Sequence, residues 1–253
     1  MTNSSNLIDS LEVYVLNNPD DVKPHWVSHF IVPTANELLI KIKNKNGNSG
    51  FGLATSYSDI LPIIKPFSNG LQDFIIGQDP FCPEKIYESI SKLTDTRISS
   101  EKGWSKEALI RISAALDIAC WDLMGKSLNI PLYKLFGGYR NKIPVYVTCG
   151  YYREGKTETE LREELKKLIE IGHQSFKVKV GGLTIKEDAK RLEIIRDVIG
   201  QDKALMIDVN RAWDLKTAIE GIEEFTKFNP VWIEEPLRWE DDRRTLKLLS
   251  KQT

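Results

Sequence analysis

Cysteine is scarce: Cys82, Cys120 and Cys149 are the only three in 253 residues. They lie far apart, form no CxxC pair and are odd in number, which argues against a disulfide framework and against a thiolate metal site. No apolar run approaches the roughly 20 residues that cross a bilayer. The opening residues MTNSSNLIDS lack the basic-then-apolar order of a secretory signal. Neither charge is in surplus, since 35 Lys and Arg face 36 Asp and Glu for a net of -1. Bulk charge therefore gives no pull toward nucleic acid or an acidic membrane. A GxGxxG pattern is missing, so the Gly181-Gly182 pair does not argue for dinucleotide binding. Low-complexity segments are absent too. These absences leave the expectation of a soluble, cytoplasmic chain, long enough for one large domain or two modest ones.

What is present divides near Tyr139–Lys142. Residues 1–140 mix strands and helices. LEVYVL (11–16) has strand character, and residues 37–54 form a hairpin pattern turning at Asn46-Gly47. A polar, Pro-containing connection, residues 17–36, separates them. Helical patterns cover 59–75 and 83–93. The strongest covers 105–128, with Leu109, Ile112, Leu116, Ala119 and Leu123 at helical spacing and Ser105 as its N-cap. From Ile143 onward, strand and helix alternate four times: IPVYVTCG, SFKVKV, ALMIDVN and VWIEEP each precede an amphipathic stretch. Strict alternation predicts parallel strands with helices packed outside. The expected fold is an α+β domain over 1–140, then an α/β domain over 141–253 holding about four βα units of a TIM-type (β/α) barrel.

The stretch SFKVKVGG places two lysines two residues apart inside an apolar strand. Side chains alternate along a strand, so Phe176, Val178 and Val180 share one face and Lys177 and Lys179 the other. The same rule separates Leu205, Ile207 and Val209 from Asp208 and Asn210, and Ile233 from Glu234. Helices pack on the apolar set. Lys177, Lys179, Asp208, Asn210 and Glu234 are left facing inward, near the C-terminal strand ends where (β/α) barrels build active sites. Two lysines and two carboxylates together offset one another's burial. The carboxylates also suit Mg²⁺, which takes few protein oxygens and completes its shell with water and substrate. A salt-bridge cluster accounts for any one of these residues alone; five in phase favour a site.

KVK (177–179), DVNRAW (208–213), WIEEP (232–236) and ALDIACWDLMGKSLNIPLYKLFGG (115–138) resemble the mandelate racemase and muconate-lactonizing branch of the enolase superfamily. The resemblance implies that residues 1–140 form a capping domain and 141–253 the first part of the barrel. It implies Asp208 and Glu234 as Mg²⁺ ligands and Lys179 as the base that takes the proton α to a substrate carboxylate, giving a metal-stabilised enediolate. Lys177 would sit beside it, and as a like charge each lysine is expected to lower its neighbour's pKa. Asn210 would hydrogen-bond a substrate or a ligand carboxylate. Two lid loops would contact substrate, one through His25, Trp26 and His29 in HWVSHF, the other through Tyr57. The family's third carboxylate lies on a fifth strand, beyond SKQT, as do its second acid or base. The chain is thus expected to be the first part of an enzyme, with exposed sheet edges that favour a homo-oligomer. A small-molecule carboxylate is the expected partner, with no nucleic acid or membrane involved. The implied reaction is acid-sugar dehydration. The alternatives are racemisation, epimerisation or cycloisomerisation, or a truncated non-catalytic chain.

Overall fold

The computed structural model describes residues 5–17, 23–32, 36–56, 59–240 and 243–252. In chain order the elements are β1 (Ile8–Leu16), β2 (His25–Trp26), β3 (Ile31–Val32), β4 (Asn36–Asn44), β5 (Ser49–Ser56), α1 (Leu61–Ser68), α2 (Pro83–Ser91), α3 (Arg97–Lys102), α4 (Lys106–Leu128) and α5 (Leu132–Leu135). There follow β6 (Val147–Cys149), α6 (Glu158–Ile171), β7 (Ser175–Lys179), α7 (Ile185–Ile199), β8 (Ala204–Asp208), α8 (Leu215–Thr226), β9 (Ile233–Glu234) and α9 (Arg243–Gln252). The chain forms two compact units, Met1–Val22 with Thr34–Lys142, and Lys23–Pro33 with Ile143–Thr253. A division at 140/141 would leave residues 23–33 with the first unit. They belong with the second because Trp26 and Tyr152 pair in both directions, N–H to carbonyl, at 2.9 and 3.2 Å.

In the first unit β1, β4 and β5 form an antiparallel sheet in the order β1-β4-β5. Leu38, Ile40 and Ile42 alternate onto one face and are fully buried, in one core with Leu109, Ile112, Leu116, Ala119 and Leu123 of α4. Ser105 caps that helix, its hydroxyl accepting from the Ala108 N–H at 3.1 Å. Gly50 and Gly52 let β5 meet α4 backbone to backbone. A Cβ on them would stand 2.0 Å from the Ala119 carbonyl oxygen and 1.9 Å from that of Ala115. Any side chain there would push the helix away.

The second unit holds a parallel sheet in the order β6-β7-β8-β9, each strand followed by a helix. Capping boxes start α6 (Thr157 with Glu160) and α7 (Thr184 with Glu187). Phe176, Val178, Val180, Leu205, Ile207 and Val209 form the core with Leu165 of α6, Leu192 of α7 and Phe225 of α8. Two strands are shorter than their apolar runs suggest. The β6–β7 ladder covers only Val147–Cys149 and the β8–β9 ladder only Ile233–Glu234. Each is an edge strand paired on one side, so Ile143, Val145 and Val231 remain exposed at 71%, 65% and 60%. Among the described residues no helix is long and apolar enough to cross a membrane.

Candidate metal and proton-transfer site

Strand alternation brings four charged side chains into one network on the face of the sheet opposite the core. Lys179 Nζ donates to Asp208 Oδ2 at 2.7 Å. Lys177 Nζ lies 2.9 Å from that same oxygen and donates to Glu234 Oε1 at 2.8 Å. Lys177, Lys179 and Asp208 are buried and Glu234 is half-buried. The register supplies this: Lys179 stands opposite Asp208, and Asp208 opposite Glu234. The second oxygen of Asp208 accepts from the Asn210 N–H at 2.9 Å, and Trp232 Nε1 donates to Glu234 Oε2 at 3.2 Å.

The expectation that the lysines depress one another's pKa does not hold for Lys177. Burial pushes its pKa down, but hydrogen bonds with Glu234 and Asp208 outweigh this, and it is pushed up to about 12. Burial likewise pushes the Asp208 carboxyl up, while hydrogen bonds from Lys179 and Lys177 hold it below the usual carboxylate range. Two carboxylates across the strands count for more at this site than a like charge two residues away.

Both carboxylates therefore converge on a single cationic point, the Lys177 ammonium. Two convergent hard oxygen donors fit Mg²⁺, with its other positions left to water and substrate. Among the described residues no group of three His, Cys, Asp or Glu side chains could hold a metal ion.

The other sequence-predicted residues fall at different distances from this network. Asn210, two residues past the end of β8, has a left-handed conformation, φ 49°. Its carbonyl accepts from the Ser28 hydroxyl at 3.1 Å, and its side-chain Oδ1 is buried with no partner among the described residues. His25 packs edge-on against Tyr151 at 4.7 Å, and the Lys179 ammonium lies 5.5 Å from that same ring. Trp26 instead stacks on Tyr152 and borders a separate cleft of about 520 Å³ between α6 and α7. His29 is exposed, beside Arg211, Arg238 and Trp239. Tyr57 lies outside the described residues. Cys149 turns from the site into the core, where burial pushes its thiol up to about 12.

Tyr146 was missed by sequence reading. Its ring lies 5.8 Å from the Lys177 ammonium and 5.7 Å from Trp232. Alternation along VYVTC, with Thr148 on the same face, was the available signal.

Residues 10–137 match the family model of the mandelate racemase/muconate lactonizing enzyme N-terminal domain, and residues 160–253 the enolase C-terminal domain-like model. The chain is 33% identical to L-talarate/galactarate dehydratase of Salmonella typhimurium, over 79% of this chain and 48% of that protein. It is 30% identical to arabinonate dehydratase of Saccharolobus solfataricus, over 79% of this chain and 52% of that one. The structure of a racemase from Streptomyces coelicolor with bound magnesium superposes with a TM-score of 0.84 at 26% identity, over 97% of this chain and 67% of that one. The chain thus spans about half the length of these curated relatives. With both halves matched in order and the KVK, DVN and WIEE residues joined in one network, the chain belongs to the mandelate racemase/muconate-lactonizing branch of the enolase superfamily.

Proposed function

We propose that the protein abstracts the proton α to the carboxylate of a small-molecule acid, with Mg²⁺ held by Asp208 and Glu234. The observation that carries this reading is the convergence of both carboxylates and both lysines within 2.7–2.9 Å contacts at adjacent strand ends. When bound, Mg²⁺ supplies positive charge against the substrate carboxylate and so acidifies its α carbon. Lys179 is the base. Its only ion pair in the network is with Asp208, so with that carboxylate committed to Mg²⁺ the Lys179 amine would be the group placed to take the α-proton. Lys177, bonded to both carboxylates in this network, would stand beside the base and face the substrate carboxylate. Tyr151 and His25 border the base, and Asn210 Oδ1 offers an acceptor to a substrate hydroxyl.

Within this class we place acid-sugar dehydration first. Three dehydratases of sugar acids are among the relatives, and the Asn210 amide oxygen suits a polyhydroxy acid. Racemisation or epimerisation is the second reading, favoured by the superposed racemase.

The test is deuterium incorporation. The whole protein, with Mg²⁺ and a panel of aldonates, aldarates and N-acyl amino acids in D₂O, is expected to exchange the α-proton. It should release water from an acid sugar, and Lys179→Ala should abolish both. Exchange that persists undiminished in that variant would remove Lys179 from its role.

A further inference from the structure

The Gly181-Gly182 pair after β7 has no part in the site described above, yet the structure builds a buried polar cluster around it. The β6–β7 ladder ends at Cys149 opposite Val178. Just past it, the carbonyls of Gly150 and Lys179 both accept from Arg191, at 2.6 and 3.0 Å. Asp188, fully buried in the first turn of α7, holds that guanidinium at 2.7 Å. Its other oxygen accepts from the Gly181 N–H at 2.7 Å. The Tyr152 hydroxyl donates to Asp188 at 2.6 Å and accepts from the Gly182 N–H at 3.1 Å. The glycines are required. Gly181 has φ +85°, and a Cβ on Gly182 would stand 2.6 Å from the Tyr152 ring.

Tyr152 also faces the other way. Its backbone pairs with Trp26 in both directions, its ring lies parallel to the indole at 6.1 Å and 13°, and the Arg191 guanidinium covers it at 4.1 Å. The segment carrying His25 and Trp26 is therefore tied to the backbone of Lys179 through three side chains, Tyr152, Asp188 and Arg191. Asp188 is the hub, because each of the others hydrogen-bonds to it.

We propose that Asp188 is a positioning residue: through Arg191 and Tyr152 it fixes the strand end that carries Lys179 and registers the 23–32 segment against it. The catalytic half of this inference rests on the proton-abstraction reading; the structural half does not. A fully satisfied buried network confers a single geometry, whereas a half-satisfied one loosens everything attached to it.

The test compares Asp188→Asn and Tyr152→Phe with the parent by amide hydrogen exchange and, in the whole protein, by α-proton exchange kinetics. Loss of a hydrogen bond to a charged group is expected to speed amide exchange about ten- to a hundredfold. That increase should span 23–32, 149–153 and 180–183 together and leave 204–209 at the parent's rate. In the kinetics kcat should fall while KM holds, the signature of a misplaced base rather than of lost substrate contacts. Increased amide exchange confined to 180–188, with 23–32 unchanged, would overturn the proposal and reduce Asp188 to a local staple. So would loosening of 23–32 at undiminished kcat. Should Asp188→Asn fail to fold, Tyr152→Phe, which removes one hydroxyl and keeps the ring, decides. If the parent itself exchanges no α-proton, the reading in the preceding subsection fails, and the amide pattern still decides whether Asp188 joins the two segments.

Discussion

Among the described residues, the buried polar side chains of the first unit are Asn44, Ser56, Ser99 and Ser113, all uncharged; those of the second are Lys177, Lys179, Asp188, Arg196 and Asp208, all charged. Both units bury a large apolar core, so the contrast does not follow from a shortage of hydrophobic residues. Burying charge costs free energy that an apolar substitute would not. Arg196 offsets that cost locally, donating to the carbonyls of Phe228, Gly200, Lys203 and Asn229. Asp188 does so through Tyr152, Arg191 and Gly181. Lys177, Lys179 and Asp208 are paired chiefly with one another and with Glu234, at strand ends, where a cation or substrate can change their partners. The comparison separates a unit whose buried polar groups are neutral from one that carries its buried polarity as charge.

The largest break in this contrast is expected from Asp208→Ala. It leaves Lys179 without its ion pair and Lys177 with Glu234 alone, at a cost of about 3–5 kcal/mol to the second unit. Cys149 and Cys120 are buried thiols, one in each unit, and burial pushes both up to about 12. Their labelling rates in denaturant report the two units separately. The variant should expose Cys149 at lower denaturant and leave Cys120 unmoved.

The converse is Gly52→Ala. Its Cβ would collide with the Ala115 carbonyl, and overpacking of this kind costs about 1–3 kcal/mol or more. Here Cys120 should become reactive earlier and Cys149 should not. A shift of both thiols by either substitution would show that the units unfold as one.

A smaller effect concerns pH. Burial, with Lys156 nearby, holds the His25 imidazole below its ordinary value near 6.5. The folded state thus binds that proton less readily than the unfolded one. Stability from this group is intact above pH 6.5 and declines as pH falls below it. An NMR titration of the His25 ring should show a midpoint under 6.5; a midpoint above it would mean that the ring is not packed against Tyr151.

These regions also differ in how far they were legible. The β7–β9 network followed from period-two alternation, because helices must pack on Phe176, Val178, Leu205 and Ile207, which leaves Lys177, Lys179, Asp208 and Glu234 no other face. The α4 face and the Asn46-Gly47 turn were equally readable, since their signals lie within one element. The protonation of Lys177 was not. The nearest charge along the chain is another lysine two residues on, and the carboxylates that outweigh it stand 31 and 57 residues away. Asp188 was invisible for a related reason: an acid in the first turn of a helix is ordinarily a solvated complement to the helix dipole, and nothing local says that Tyr152, Arg191 and the Gly181 amide enclose it. Within HWVSHF, His25 and His29 carry no periodicity that tells the residue beside Tyr151 from the exposed one.

Lys179→Met tests the central claim most directly, because it removes one buried charge while Asp208 keeps Lys177 as its partner. The same protein is read for α-proton exchange in D₂O and for the melting of the second unit, with Mg²⁺ present. We expect exchange to vanish and the melting temperature to hold or rise, since an apolar chain of similar length replaces a costly ammonium. Exchange that survives while the melting temperature falls would contradict the account and make Lys179 a structural charge.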